Sequence, residues 1–259
     1  MRRDLVFEYA LTMRRLTSVY QFAWKPIITF GARRLRLLEW IDAEVSPIAF
    51  TDSEDHVGFA TDEQSIRITA LRDGVILEDR GLYGHGVQSL QPALEGVMRI
   101  LAPESVVLKS AALAWTEPTP MGSYDDTRAS FAAGLADISI ANSALLPVDA
   151  SVLMDLEGPE YSAQVEWGIV SASELVKRLR EPGLSRVSAH RAQSVNDSEF
   201  AGELPEASLF VDTSIFKPVS EVIVDQAGME ETIDFVTAIS ENIAQNLYSS
   251  VVGKMGREK

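Results

Sequence analysis

The chain has 259 residues, with 38 Asp and Glu against 23 Lys and Arg, three histidines and no cysteine, so its formal net charge at pH 7 is −15. The lack of cysteine excludes disulfides, thiolate nucleophiles, thiolate zinc sites and iron–sulfur clusters, and it is typical of the reducing cytoplasm. The negative charge argues against sequence-independent nucleic-acid binding, which depends on clustered Lys and Arg. We therefore expect an acidic cytoplasmic protein.

The charge is unevenly distributed along the chain. Residues 1–40 carry eight Lys and Arg against three Asp and Glu, whereas residues 41–253 carry 12 against 34. A basic segment of this kind can bind nucleic acid, so 1–40 is the one place where we keep that alternative. The arginines come in pairs within an apolar pattern, which favours contacts with the chain's own acidic body. No stretch has the roughly 18 to 20 apolar residues of a membrane span, and we expect neither a membrane segment nor an export signal.

The first half of the chain alternates predicted strands and helices. Aromatic and β-branched residues predict strands over 4–11 and 17–24, and apolar residues at three- and four-residue spacing predict a helix over 33–45. A polar loop is predicted over 51–56, followed by a short strand over 57–60.

The best local pattern follows this loop. Alternating apolar residues over 65–71 and 75–77 flank Asp73-Gly74, which predicts a β-hairpin. A helix is predicted from Ser89 to Leu101, ending before Pro103, and a long strand over 105–115.

The second half begins with a predicted helix over 127–136 and a hairpin over 151–157 and 161–170. A capping box, Ser171 with Glu174, predicts the start of a short helix. Further elements are strands over 184–190 and 207–213 and a final amphipathic helix, whose apolar stripe is Met229, Ile233, Val236, Ile239, Ile243 and Leu247. This helix is expected to pack on a sheet.

These elements predict an α+β fold built from two similar halves of antiparallel sheet, with amphipathic helices packed on one face. The halves are assigned to residues 1–120 and 121–259, and one continuous domain is the alternative. Trp40, Trp115 and Trp167 lie on amphipathic segments and are predicted to be packing residues.

The order of elements resembles an uncharacterised family of bacterial proteins of similar size. The resemblance is carried by Val19 to Pro26 in an opening strand, Leu113 to Pro120 at the end of a long strand, and Leu209 to Thr213 before a terminal helix over 229–251. It implies the α+β layout across most of the chain and transfers no functional residue.

Two carboxylates and a histidine form the candidate catalytic set. Asp125 and Asp126, near Arg128, are the residue types that a metal-dependent hydrolase or transferase requires. They also follow Gly122-Ser123, where aspartates serve turns and helix caps. Paired carboxylates are common at such positions, so we favour the structural alternative.

The three histidines could each contribute to chemistry. His85 lies in a Tyr-Gly-His-Gly segment, and His190 precedes Arg191 near Asp197. Either could act as a base, although a turn and a strand end are the favoured alternatives. His56 follows Asp52, Glu54 and Asp55 in a cluster that lacks the spacing of a calcium loop, so we expect a solvated acidic turn and no metal site.

An alternating aromatic row, Tyr20, Phe22 and Trp24, is the candidate binding surface. Alternation places the three side chains on one face of a strand, where they form a partner site if exposed and part of the core if covered.

The chain has no phosphate-binding glycine pattern and no Gly-x-Ser-x-Gly elbow. We therefore predict a non-enzymatic binding or assembly protein without a cofactor, acting through protein–protein contacts. It would be a homo-oligomer, a subunit of a larger complex or an acidic inhibitor. The alternative is the metal-dependent enzyme using Asp125, Asp126 and a histidine.

Overall fold

The computed structural model describes residues 13–61, 66–79, 91–119, 123–135, 151–159, 161–175, 206–216 and 226–255. Its strands are β1 Arg14–Ala23, β2 Ala49–Asp52, β3 His56–Thr61, β4 Ile66–Leu71, β5 Gly74–Asp79, β6 Val107–Pro118, β7 Ser151–Glu157, β8 Ser162–Ser171 and β9 Ala207–Phe216. Its helices are α1 Phe30–Trp40, extended by a π-helical turn over Ile41–Val45, α2 Gln91–Leu101, α3 Tyr124–Leu135 and α4 Gln226–Met255. The strands predicted over 4–11 and 184–190 lie outside the described residues.

The strands form one nine-stranded sheet in the order β2-β3-β4-β5-β1-β6-β9-β8-β7. Every neighbouring pair is antiparallel. Strands from both sides of residue 120 therefore belong to the same sheet, joined where β6 pairs with β9. The predicted α+β class with antiparallel sheet is confirmed.

The predicted central hairpin is confirmed, with a two-residue turn at Arg72 and Asp73 between β4 and β5. Gly74, predicted as a turn residue, is the first residue of β5. A Cβ atom on Gly74 would lie 2.5 Å from the Phe22 carbonyl oxygen, so only glycine lets β5 approach β1 this closely. The turn is held by the segment after β1, since the Ile27 amide donates to the Arg72 carbonyl at 2.9 Å.

The helices cover one face of the sheet. Paired residues in antiparallel strands share a face, so Phe59, Ile68, Leu77 and Tyr20 form one row across β3, β4, β5 and β1. Trp40 of α1 packs edge-on against Phe59, with ring centroids 6.1 Å apart.

Contacts of α4 and α3 place them on this same face. The Tyr20 hydroxyl lies 2.7 Å from the Thr237 hydroxyl of α4, and Trp115 Nε1 donates to Ser240 Oγ at 2.7 Å. Trp167 shares the face of Trp115 through β9 and packs edge-on against Phe131 of α3. The core therefore lies between the sheet and the helices, and Trp40, Trp115 and Trp167 are packing residues as predicted.

Helices α1 and α2 meet at a close approach. A Cβ atom on Gly96 of α2 would lie 2.0 Å from the Trp40 ring, so the indole packs directly on the α2 backbone. Arg33 of α1 donates to the carbonyls of Leu101 and Ala102, which end α2 and lack helical partners.

The opposite side of the sheet, called here the second face, is only partly covered. Leu16, Val170, Phe210 and Leu175 form a small apolar cluster there, at one end of the central strands. Further along, a row across five strands is partly exposed: Glu78, Val19, Ala112, Ser214 and Gln164.

Most predicted elements in the described residues are confirmed. Strand 17–24 corresponds to β1, helix 33–45 to α1 and its π turn, and the last helix to α4, which contacts β6 and β9 as expected for a sheet-packed helix. The loop predicted over 51–56 is wrong at its start, because β2 extends to Asp52. In the described residues no helix is long and apolar enough to cross a membrane.

Candidate functional site

Asp125 and Asp126 lie at the start of α3. The Asp126 amide donates to Ser123 Oγ at 3.2 Å, so Ser123 caps the helix, and the same Oγ donates to the Asp126 carboxylate at 2.7 Å. Asp125 is 83% exposed and lies 3.5 Å from Arg128 one turn later. In these contacts the carboxylates stabilise a helix N-terminus, and Asp125 and Asp126 face different partners.

The histidines do not join these carboxylates in the described residues. His85 and His190 lie outside those residues. His56 begins β3, where its Nδ1 atom lies 2.7 Å from Ser53 Oγ in the turn after β2. The neighbouring Asp52 pairs with Arg34 of α1. Among described residues, no three His, Asp or Glu side chains are grouped so that they could hold a metal ion.

The aromatic row of β1 lies under the helices. Tyr20 and Phe22 are fully buried, and Trp24 is buried with its Nε1 donating to the Arg72 carbonyl at 3.3 Å. Burial raises the pKa of the Tyr20 hydroxyl, partly offset by its hydrogen bond to Thr237. Tyr20, Phe22 and Trp24 are thus part of the core and present no surface to a partner.

A buried ion pair accompanies this row. Asp79 of β5 is 1% exposed, and its carboxylate accepts a hydrogen bond from Arg15 of β1 at 3.0 Å. A carboxylate buried to this degree needs a cationic partner to remain charged. The pair connects the basic opening segment to the acidic body, as the spacing of its arginines predicts, although the identity of the partner was not apparent from sequence.

A second buried carboxyl group lies at the end of β6. Burial raises the pKa of Glu117, and both burial and the Glu117 charge raise the pKa of Tyr248 on α4. The Tyr248 hydroxyl is buried without a hydrogen-bond partner. Neither residue borders the two cavities at the β2 side of the sheet. The pair could not be predicted from sequence, because its members are 131 positions apart.

Two cavities lie at the β2 side of the sheet. One, of about 550 Å³, lies between the π turn and α2 and is bordered by Trp40, Glu44, Gly96 and Arg99. The other, of about 430 Å³, lies against β2, β3 and β4 and is bordered by Thr51, His56, Arg67 and Thr69. Both have mixed linings, without a convergent set of catalytic side chains.

The two terminal strands carry exposed apolar side chains. Ile48 and Phe50, just before and within β2, are 55% and 52% exposed, and Leu153 and Leu156 of β7 are 52% and 37% exposed. These four are the majority of the seven large apolar side chains that are exposed in the described residues. Terminal strands also present unpaired backbone groups, which bind other extended segments. These two sheet edges are the candidate functional surfaces.

The chain matches no protein-family model and no curated protein sequence. The resemblance in element order therefore stays a prediction.

Proposed function

We propose that the chain is a non-enzymatic binding or assembly protein of the cytoplasm that acts through protein–protein contacts. The observation that carries this proposal is the concentration of exposed apolar side chains on the two terminal strands. An exposed edge strand with apolar side chains is a pairing surface for another chain. Isolated exposed apolar residues are ordinary, but apolar residues along an open edge favour a covered state.

The acidic composition supports the same proposal. A net charge of −15 attracts basic partners and accelerates their association. The absence of cysteine supports the cytoplasmic location.

We further propose that the sheet consists of two structurally similar units, as predicted, but with the boundary before β6 rather than at residue 120, so that β6 belongs to the second unit. In each unit a first strand and a helix precede a meander of strands, and the last strand of the meander pairs with the first strand of the unit, β5 with β1 and β9 with β6. The antiparallel β1–β6 pair would then lie near an approximate twofold axis. Among the described strands, this arrangement leaves β2 and β7 as the two edges of the sheet.

The first experiment measures the mass of the full chain by size exclusion with light scattering, alone and after cross-linking in its host cells. We expect either a defined oligomer or a stoichiometric complex with another protein. The double variant Phe50→Lys/Leu153→Lys should lose the assembly, because charge on an edge prevents pairing. Leu35→Lys, at an exposed apolar residue of α1 away from both edges, is the matched control.

A monomer without a stoichiometric partner, for the native chain and both variants, would contradict the proposed function. A rise in melting temperature with Mg²⁺, Mn²⁺ or Zn²⁺ would instead favour the metal-dependent enzyme, since a ligand of the native state stabilises it.

A further inference from the structure

Strand β7 is the longer of the two sheet edges. It has seven residues, none of them buried, and among described residues it pairs only with β8. Alternate backbone N–H and C=O groups of an edge strand point away from its neighbour, where they can bond to an added strand. The opposite edge, β2, has four residues, and the side chain of its Asp52 is bound by Arg34. Among the described residues, the longer ladder of unpaired backbone groups is therefore on β7.

The two faces of β7 differ chemically. Val152, Met154 and Leu156 are in register with Trp167, Val165 and Ala163, so they lie on the helix-covered side and extend the apolar core to the sheet edge. Leu153, Asp155 and Glu157 lie on the second face, in register with Glu166, Gln164 and Ser162.

The second face beside this edge is acidic. Asp212 of β9 is in register with Glu166, which is in register with Leu153 of β7. Together β7, β8 and β9 contain Asp155, Glu157, Glu166 and Asp212 and no Lys or Arg. An added strand would therefore meet apolar side chains on one of its faces and carboxylates on the other.

We propose that the outer edge of β7 binds an extended segment of a partner protein in which apolar residues alternate with Lys or Arg. This proposal rests on the proposed protein-binding function and names the partner's chemistry. The backbone of the segment adds a tenth strand, its apolar residues cover Val152, Met154 and Leu156, and its cations face Asp155 and Glu157. Charge complementarity selects this segment over an acidic or purely apolar one.

A second copy of the chain fits this edge less well. Antiparallel pairing of β7 with its own copy would place the two copies of Asp155 and Glu157 on one shared face. Each copy also brings a net charge of −15, which repels the other.

The test uses three synthetic ten-residue peptides with blocked ends and the full-length chain. The first alternates Val and Lys, the second alternates Val and Glu, and the third has the composition of the first with all lysines grouped together. Fluorescence anisotropy measures binding, and amide hydrogen exchange locates it. We expect the alternating Lys peptide to bind about tenfold more tightly than the others and to slow exchange over residues 151–157.

Charge reversal supplies the second arm. The variant Asp155→Lys/Glu157→Lys should bind the Lys peptide about tenfold more weakly and should bind the Glu peptide instead, because the charges at positions 155 and 157 have changed sign. The matched control Glu39→Lys/Glu104→Lys makes the same change in net charge at exposed positions near α1 and α2, and it should alter binding by less than about twofold. Circular dichroism verifies that both variants fold.

If the two double variants changed the affinity for the Lys peptide equally, or if the peptide slowed amide exchange outside β7, the edge proposal would be overturned. The proposed protein-binding function would remain intact. A dimer that forms through β7 and is lost in Asp155→Lys/Glu157→Lys would overturn it in favour of a second copy. Absence of binding by all three peptides, with a monomeric and partnerless chain in the assembly experiment, would overturn both proposals.

Discussion

Strands β1 and β7 both place apolar side chains on the helix-covered side of the sheet, but β1 is an interior strand and β7 is a terminal one. In β1 the Tyr20 and Phe22 side chains are completely buried, whereas no β7 side chain is buried. The difference comes from strand order, because β1 lies between β5 and β6 and β7 ends the sheet. An alternating apolar pattern therefore identifies a strand without telling whether it stabilises the fold or offers a surface.

Truncating one apolar side chain in each strand gives the largest contrast. Phe22→Ala should lower the free energy of unfolding by about 3–5 kcal/mol, since it leaves a cavity in the core. Leu153→Ala, at a half-exposed position of β7, should cost less than about 1 kcal/mol. Urea denaturation of both variants measures the difference. Similar losses would mean that β7 is as strongly packed as β1.

Replacing either partner of the ion pair between β1 and β5 should lower the free energy of unfolding, by unequal amounts and somewhat less than Phe22→Ala does. Arg15→Met removes the cation that pairs with the buried Asp79 carboxylate and should cost about 3 kcal/mol. Asp79→Asn leaves Arg15, which is 17% exposed and keeps some hydration, and should cost about half as much. Urea denaturation at pH 7 measures both. Equal losses, or none, would contradict the assignment of Asp79 as the desolvated partner.

The smallest effect concerns pH. Burial raises the pKa of Glu117 in the folded chain above its ordinary value of 4.5. Between pH 4.5 and this raised pKa, the folded chain therefore retains a proton that the unfolded chain releases. The stabilisation associated with this proton is complete below pH 4.5 and is lost as the pH rises through the folded-state pKa. Glu117→Gln cannot ionise, so its stability relative to the native chain should increase from pH 4 to pH 8.

Unfolding by urea across that range measures the trend, with Glu241→Gln on the exposed side of α4 as the control. A parallel pH dependence for the native chain and Glu117→Gln would show that burial of Glu117 does not affect its ionisation.

Local patterns were sufficient for much of the fold. The β4–β5 hairpin and α4 follow from neighbouring residues, through alternation around Asp73 and a helical stripe starting at Met229. Strand β2 was not predicted because it has only four residues, three of them exposed, and its pairing with β3 determines its conformation.

The candidate surfaces could not be predicted because they depend on contacts between distant residues. Strand order decides that β7 is an edge, and nothing within its seven residues distinguishes an edge from an interior position. The same reason hid the Arg15–Asp79 pair, whose members are 64 positions apart. The caps at Ser123 and Ser171 were accessible because they involve residues three positions apart.

The hydrogen bond between Tyr20 and Thr237 spans 217 positions and has a consequence for biosynthesis. Strand β1 leaves the ribosome long before α4, which covers it, has been translated. Strand β6, one of the two neighbours of β1 in the sheet, begins more than eighty residues after β1 ends. Distant pairings of this kind slow folding and leave apolar strands uncovered in the nascent chain. Newly made chains would therefore depend on chaperone protection until α4 has emerged.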